Sequence, residues 1–275
     1  MEKMLDGKVC IVTGGGRGIA KEACLLFASE GGKVVVCDLD EAPAKETVAE
    51  IEQKGGKAVA VAGDITADGI PEKIIQTAID TFGGIDVIVN AAGYTWDSMI
   101  QNMTDKQWDA MINVHLKAPF RILRAAANFI REKTKEEQSA GKIAMRKVVN
   151  ISSLAGTGGN AGQANYSSAK AGLVGLTKTL AKEWGRYNVN VNCIPFGVIE
   201  TRLTQDKEKG EYIERDGQKI AVGIPKAGKS VFNMMIPLGR PGTPQEAARA
   251  ILFLASPLSD YVSGQVLVVG GGLSI

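Results

Sequence analysis

The chain has 275 residues, 45% of them hydrophobic, with 32 Lys and Arg set against 30 Asp and Glu for a net charge of +2. That length supports a sizeable core. Basic residues scattered among acids give no nucleic-acid or anionic-membrane surface, and no apolar window reaches the length of a bilayer span.

The first residues carry no apolar signal region, so a cytoplasmic protein is expected. From there short apolar runs alternate with longer amphipathic ones. Strands are expected at 9–13, 33–37, 58–62, 87–90, 147–151, 189–194 and 265–269. Helices are expected between them, at 19–29, 42–54, 71–82, 105–132, 164–187 and 244–255. The strand runs are near-continuous Val, Ile and Ala, as parallel strands covered on both faces require. The alternation implies an α/β architecture, a doubly wound seven-stranded parallel sheet (a Rossmann fold) with right-handed crossovers. No linker or repeat breaks residues 1–275, so a single domain is expected. Cys10, Cys24, Cys37 and Cys193 sit singly in apolar or helical runs and are read as buried free thiols.

Two stretches depart from the alternation. Residues 133–146 are polar and charged, and are read as a solvated helix extension or surface loop. Residues 203–240 hold several Gly and Pro, many charges and a Met/Phe patch (Phe232, Met234, Met235). Long loops in compact domains are usually functional, and a substrate lid is expected here.

The first strand runs into Thr13-Gly14-Gly15-Gly16-Arg17-Gly18-Ile19-Ala20 and then a helix. Glycines let backbone turn tightly and approach a pyrophosphate, and the helix N-terminus adds N–H groups and partial positive charge. Gly14, Gly16, Arg17, Gly18 and Ile19 are therefore candidate cofactor contacts. The second strand leads to Asp38, which can accept from the ribose hydroxyls of NAD and would repel the extra phosphate of NADP. Arg17 pulls the other way. NAD is the expected cofactor and NADP the lesser alternative; a turn-capping role is the other reading of Asp38. Asp64 and Ile65 follow the third strand, where adenine would lie. Asn90, Ala91 and Gly93 end the fourth, where small residues permit close approach. Ligands of open α/β sheets bind beyond such carboxyl ends.

Tyr166 and Lys170 lie four apart, on one face of a helix. A tyrosine ordinarily keeps its proton until about pH 10, and a nearby ammonium lowers that value. The pair is a candidate proton donor and acceptor. Ser153 ends the fifth strand and could donate to a carbonyl oxygen, although alone it reads as a strand-end cap. Asn113 sits mid-helix, where asparagine is a poor choice, and alone reads as a solvent-facing amide. His115 is expected to be a packed or surface histidine, and Trp96 and Trp108 core or interface residues. With one histidine and no acid cluster, no metal site is expected.

In this order, Thr13-Gly14-x-x-x-Gly18-Ile19-Ala20, Asn90-Ala91-Ala92-Gly93, Asn113, Ser153 and Tyr166-x-x-x-Lys170 resemble the short-chain dehydrogenase/reductase family over nearly the whole chain. Gly159-Asn160-Ala161-Gly162-Gln163-Ala164-Asn165-Tyr166 looks most like its 3-oxoacyl-thioester reductases. The resemblance implies an oxidoreductase that interconverts a secondary alcohol and a ketone, with a CoA or acyl-carrier thioester as substrate. It implies that Tyr166 moves the proton on the substrate oxygen. Lys170 would bind the nicotinamide ribose and lower the Tyr166 pKa, Ser153 would polarise the carbonyl, and Asn113 would hold a relay water. Ile199 and Thr201 would hold the nicotinamide carboxamide, and Gln163 would touch substrate. A homotetramer is implied as well.

Three positions depart from the family pattern. Phe196 stands where proline is usual, Ala20 replaces a third glycine, and Asp38 is at odds with the NADPH preference common among biosynthetic oxoacyl reductases. An NAD enzyme suits oxidation of a 3-hydroxyacyl thioester. A cyclic, aromatic or sugar-derived secondary alcohol is the alternative substrate. A non-catalytic nucleotide-binding subunit is the alternative of a different class, and would be expected to lose Tyr166, Lys170 or Ser153.

Overall fold

The computed structural model describes residues 3–215, 217–226, 228 and 234–273. Phe232, part of the expected apolar patch, lies outside the described residues. Strands β1 (Val9–Thr13), β2 (Lys33–Asp38), β3 (Lys57–Ala62), β4 (Val87–Asn90), β5 (Arg146–Ser153) and β6 (Val189–Phe196) form one sheet in the order β3-β2-β1-β4-β5-β6. Every pairing is parallel, as in β1 with β2, where Val9 faces Lys33 and Thr13 faces Cys37. The order reverses beside β1, which places a crevice between β1 and β4.

Covering helices explain the unbroken apolar strands. Cys10 and Val12 of β1, with Val34 and Val36 of β2, enter one core together with α1 (Gly18–Ser29) and α8 (Pro244–Ala255). Val9 and Ile11, with Val35 and Cys37, enter the other, with α3 (Ile70–Phe82) and α5 (Ala118–Ser139). Alternate residues of one strand thus feed opposite cores. Helix α2 (Glu41–Gln53) buries Ala44 and Ile51 in the first. The cysteines lie at 0–1% exposure as free thiols. Burial raises all four thiol pKa values, Cys193 to about 11.

Three expectations need correction. The sheet has six continuous strands, not seven. The segment at 265–269 joins β6 by four backbone hydrogen bonds of 2.9–3.1 Å, yet makes only the isolated bridges Cys193–Val266 and Phe196–Val269. The expected helix at 105–132 is α4 (Asp105–Ile112), a π turn (Asn113–Lys117) and α5. Pro119 lacks the N–H that would continue an α ladder, and the Ala118 N–H instead bonds the Asn113 carbonyl five residues back. The polar stretch at 133–146 begins as a helix extension with exposed pairs such as Lys133–Glu136 at 3.0 Å. It ends differently: Arg146 is buried, opens β5, and grips Glu137 with two hydrogen bonds of 2.7 and 2.9 Å.

Beyond β6 the chain forms a two-stranded antiparallel hairpin, β7 (Tyr212–Arg215) and β8 (Gln218–Ala221), outside the main sheet. Helix α7 (Ala164–Trp184) follows the short helix α6 (Ala155–Gly158) and packs on β5 and β6.

Candidate active site

Two connected clefts open beyond the carboxyl ends of the strands. The first, about 260 Å³, is walled by the glycine turn after β1, Asp38, Asp64 and Ile65. The second, about 420 Å³, is walled by Ser153, Gln163, Tyr166 and Lys170. Ile19, Ala91, Gly93 and Thr201 line both, so the clefts run into one another.

In the first cleft Gly14 holds φ +73, and a Cβ there would stand 2.9 Å from the Ala92 backbone. Only glycine allows this turn and this approach of β1 to β4. Helix α1 begins at Gly18 with no side-chain cap and no acid in its first turn, leaving its first N–H groups open to an anion. Asp38 accepts from the Gly16 N–H at 3.0 Å and the Asp40 N–H at 3.1 Å, which fixes its carboxylate at the end of β2. A Cβ on Gly16 would come within 2.8 Å of that carboxylate. Arg17 bonds Asp40 at 2.9 Å and lies 3.8 Å from Asp38. Asp64 accepts from the Thr66 N–H and hydroxyl, both at 2.8 Å. Glycine backbone, uncapped helix N-terminus and fixed carboxylate together fit a dinucleotide.

The second cleft holds the reactive groups. Asn165, fully buried, donates to the carbonyls of Trp96 at 3.1 Å and Gln107 at 3.0 Å and accepts from the Tyr166 N–H at 2.8 Å. It therefore anchors the first turn of α7, from which Tyr166 and Lys170 project. The Lys170 ammonium lies 5.6 Å from the Tyr166 ring centre and donates to the Ile151 carbonyl at 2.7 Å. Ser153 hydrogen-bonds the Tyr166 phenol, and its oxygen also accepts from the Ala155 N–H at 3.2 Å.

The electrostatics differ from the expectation. Burial pushes the Tyr166 pKa up to about 12; the Ser153 hydrogen bond opposes this and the Asp97 carboxylate adds to it. Lys170 is itself lowered by burial to about 8. The expected depression of Tyr166 by Lys170 is not found in this arrangement: desolvation sets the direction, and the group that opposes it is Ser153.

Three expected members line neither cleft: Gly16, whose N–H instead holds Asp38, Asn90 and Asn113. The Asn90 side chain donates to Asn150 at 2.9 Å, and Asn150 donates to Thr177 at 2.9 Å, a buried chain beneath the sheet end. Ala91 and Gly93 line the clefts instead. Asn113 is half-buried in the π turn and lines neither cleft. Ile199 is buried, its carbonyl accepting from the Thr204 hydroxyl, and Thr201 presents its N–H to that hydroxyl at 2.9 Å. Gln163 donates to Asp97 at 3.0 Å.

Asp97 and His115 carry more than their sequence context signals. Asp97 lines the second cleft, and burial raises its pKa. His115 is packed, as expected, but packed against Tyr166, edge to face at 4.9 Å. Its Nε2 lies 2.6 Å from the Tyr94 carbonyl, which makes Nε2 the protonated nitrogen. Burial lowers the pKa well below the usual value, so the ring is neutral. Among the described residues no group of three or more His, Cys, Asp or Glu is placed to hold a metal ion.

Known proteins match the chain over nearly its whole length. A family model described as enoyl-(acyl carrier protein) reductase matches residues 14–274. The chain is 38% identical over 271 residues to the 3-oxoacyl-[acyl-carrier-protein] reductase FabG of Thermotoga maritima, covering 98% of this chain and 99% of the relative. It is 36% identical over 278 residues to the protein of the same name from Chlamydia muridarum, across the full length of both. It is 34% identical over 271 residues, 98% of each chain, to the (2S)-[(R)-hydroxy(phenyl)methyl]succinyl-CoA dehydrogenase subunit BbsD of Thauera aromatica. A full-length match of this kind, on a six-stranded doubly wound sheet with the tyrosine, lysine and serine in one cleft, shows that the chain belongs to the short-chain dehydrogenase/reductase family of nicotinamide-dependent oxidoreductases.

Proposed function

We propose that the protein is an NAD(H)-dependent oxidoreductase interconverting a 3-hydroxyacyl and a 3-oxoacyl thioester. The observation that carries the reaction class is the convergence of Ser153, Tyr166 and Lys170 on one cleft that opens into the glycine-walled cleft. The nicotinamide, when bound, supplies or accepts the hydride. The chain's own groups manage the oxygen. Ser153 donates to it where negative charge develops. Tyr166 gives the phenol proton to it in reduction and takes the alcohol proton in oxidation. A phenol whose pKa lies near 12 is protonated at neutral pH, ready to donate. Oxidation needs the phenolate, and the Lys170 ammonium is the nearby cation that would stabilise it.

Asp38 supports NAD. Its carboxylate is pinned by two N–H donors, and Arg17 is already engaged by Asp40 and Asp38. A second phosphate there would meet a fixed anion with no uncommitted cation in Arg17. The thioester reading rests on relatives named for acyl-carrier and CoA substrates. That one of them is named a dehydrogenase favours oxidation as a second reading of direction. Asn113 as water holder and the homotetramer belong to the same proposal by resemblance, and the cytoplasm as location and a lid over 203–240 belong to it from the sequence. That region contributes Thr204 and Ile224 to the second cleft and Ile213 and Arg215 to the first.

The test is steady-state oxidation of 3-hydroxyacyl-CoA with NAD and with NADP, beside cyclic and aromatic secondary alcohols. Preference for the thioester with NAD is expected. Turnover confined to the free alcohols would overturn the substrate reading, and equal use of NADP the role of Asp38.

A further inference from the structure

The β7–β8 hairpin lies in the region expected to cover substrate, yet Ile213 and Arg215 line the nucleotide cleft. Three arginines wall that cleft, and they are not equivalent. Arg17 is satisfied by Asp40 at 2.9 Å. Arg202 donates to Glu211 at 2.9 Å and to the Tyr212 carbonyl at 2.6 Å. Among the described residues, the carboxylate paired with Arg215 is that of Asp64, at 3.5 Å, beyond good hydrogen-bond length. Its guanidinium sits 5.2 Å from the centre of the Tyr94 ring. Among the described residues its buried Nε has no hydrogen-bond partner, although the side chain as a whole is 19% exposed.

Such a guanidinium is positioned but underused. The ring orients it and Asp64 holds it near the end of β3, while its fork of donors keeps spare capacity. It faces the cleft also walled by the Gly14 turn and Gly18, where α1 leaves its N–H groups uncapped. An uncapped helix N-terminus and an under-bonded guanidinium that line the same cleft are both complementary to a doubly charged group.

We propose that Arg215 binds the diphosphate of the cofactor, so that the β7–β8 hairpin is the part of the lid region that clasps the nucleotide. This rests on the dinucleotide reading above. Arg215 would exchange a long ion pair with Asp64 for charge-assisted hydrogen bonds to phosphate oxygens, and the hairpin would close on the ligand.

The test is calorimetric titration with ADP-ribose, which carries the diphosphate, and with adenosine, which does not. The R215M variant should weaken ADP-ribose at least tenfold and leave adenosine within twofold. R215K, which keeps charge without the fork, should fall between. The thermal midpoint of the ligand-free R215M protein should match the parent, which separates lost contact from lost fold. Unchanged ADP-ribose affinity in R215M would overturn the proposal, as would equal losses for ADP-ribose and adenosine, which would mean stacking on adenine. Failure of the parent protein to bind ADP-ribose would remove the dinucleotide reading itself.

Discussion

The two clefts are built on opposite electrostatic terms. In the nucleotide cleft, charges are matched at the strand tips: Asp38 is held by backbone N–H groups and Arg17 by two carboxylates. In the reactive cleft, Lys170 and His115 are buried and Tyr166 is half-buried, and desolvation dominates the shift of each. Around Asp38 and Arg17 the nucleotide surface is preformed, with Arg215 the under-bonded group left to meet a ligand. Moving a proton rewards groups held away from their ordinary protonation balance. The first cleft is expected to tolerate single changes with altered affinity, and the second to lose function while keeping or gaining stability.

The sharpest break in that contrast comes from Tyr166→Phe. Turnover should fall by about 10²–10⁴, with ADP-ribose affinity unchanged in titration. Near-normal turnover would remove the acid–base role. Gly93→Ala tests the wall between the clefts, where a Cβ would lie 2.0 Å from the His115 ring. Thermal or denaturant unfolding should show a loss of about 1–3 kcal/mol, recovered in part by adding His115→Ala. Asp38→Ala should move the NAD/NADP ratio of kcat/KM toward NADP by about tenfold, an effect of ~1.4 kcal/mol; an unmoved ratio would leave Asp38 a turn residue only.

The smallest effect concerns pH. The folded pKa of Lys170, about 8, lies below its ordinary value of 10.5. Between those values the unfolded chain binds more protons than the folded one, so this site's contribution to stability rises with pH across that window. Tm of the parent relative to Lys170→Met should climb by a few degrees from pH 8 toward pH 10. A flat difference would mean that Lys170 is not desolvated.

What could be read in advance follows a physical divide. Strand runs, the glycine turn and the Tyr166–Lys170 spacing are local, and the first six strands appear within two residues of their expected bounds. Asn90 could not be resolved, because its partner Asn150 is sixty positions away across the sheet. The π turn needed Pro119 to be weighed against the helical periodicity around it. Asp97 and Arg215 carry no motif; their importance comes from what folds over them. The Tyr166 shift depends on how much water the surrounding chain excludes, which no spacing records.

The sealed thiols give this molecule a practical property. Cys10, Cys24, Cys37 and Cys193 are all at 1% exposure or less, and only a thiolate reacts rapidly with maleimides or disulfide reagents. The native fold is therefore silent to such reagents. A single cysteine engineered into the exposed hairpin position Lys219 would be the sole reactive sulfur. A fluorophore placed there would report the closing of the clasp without removal of any native cysteine.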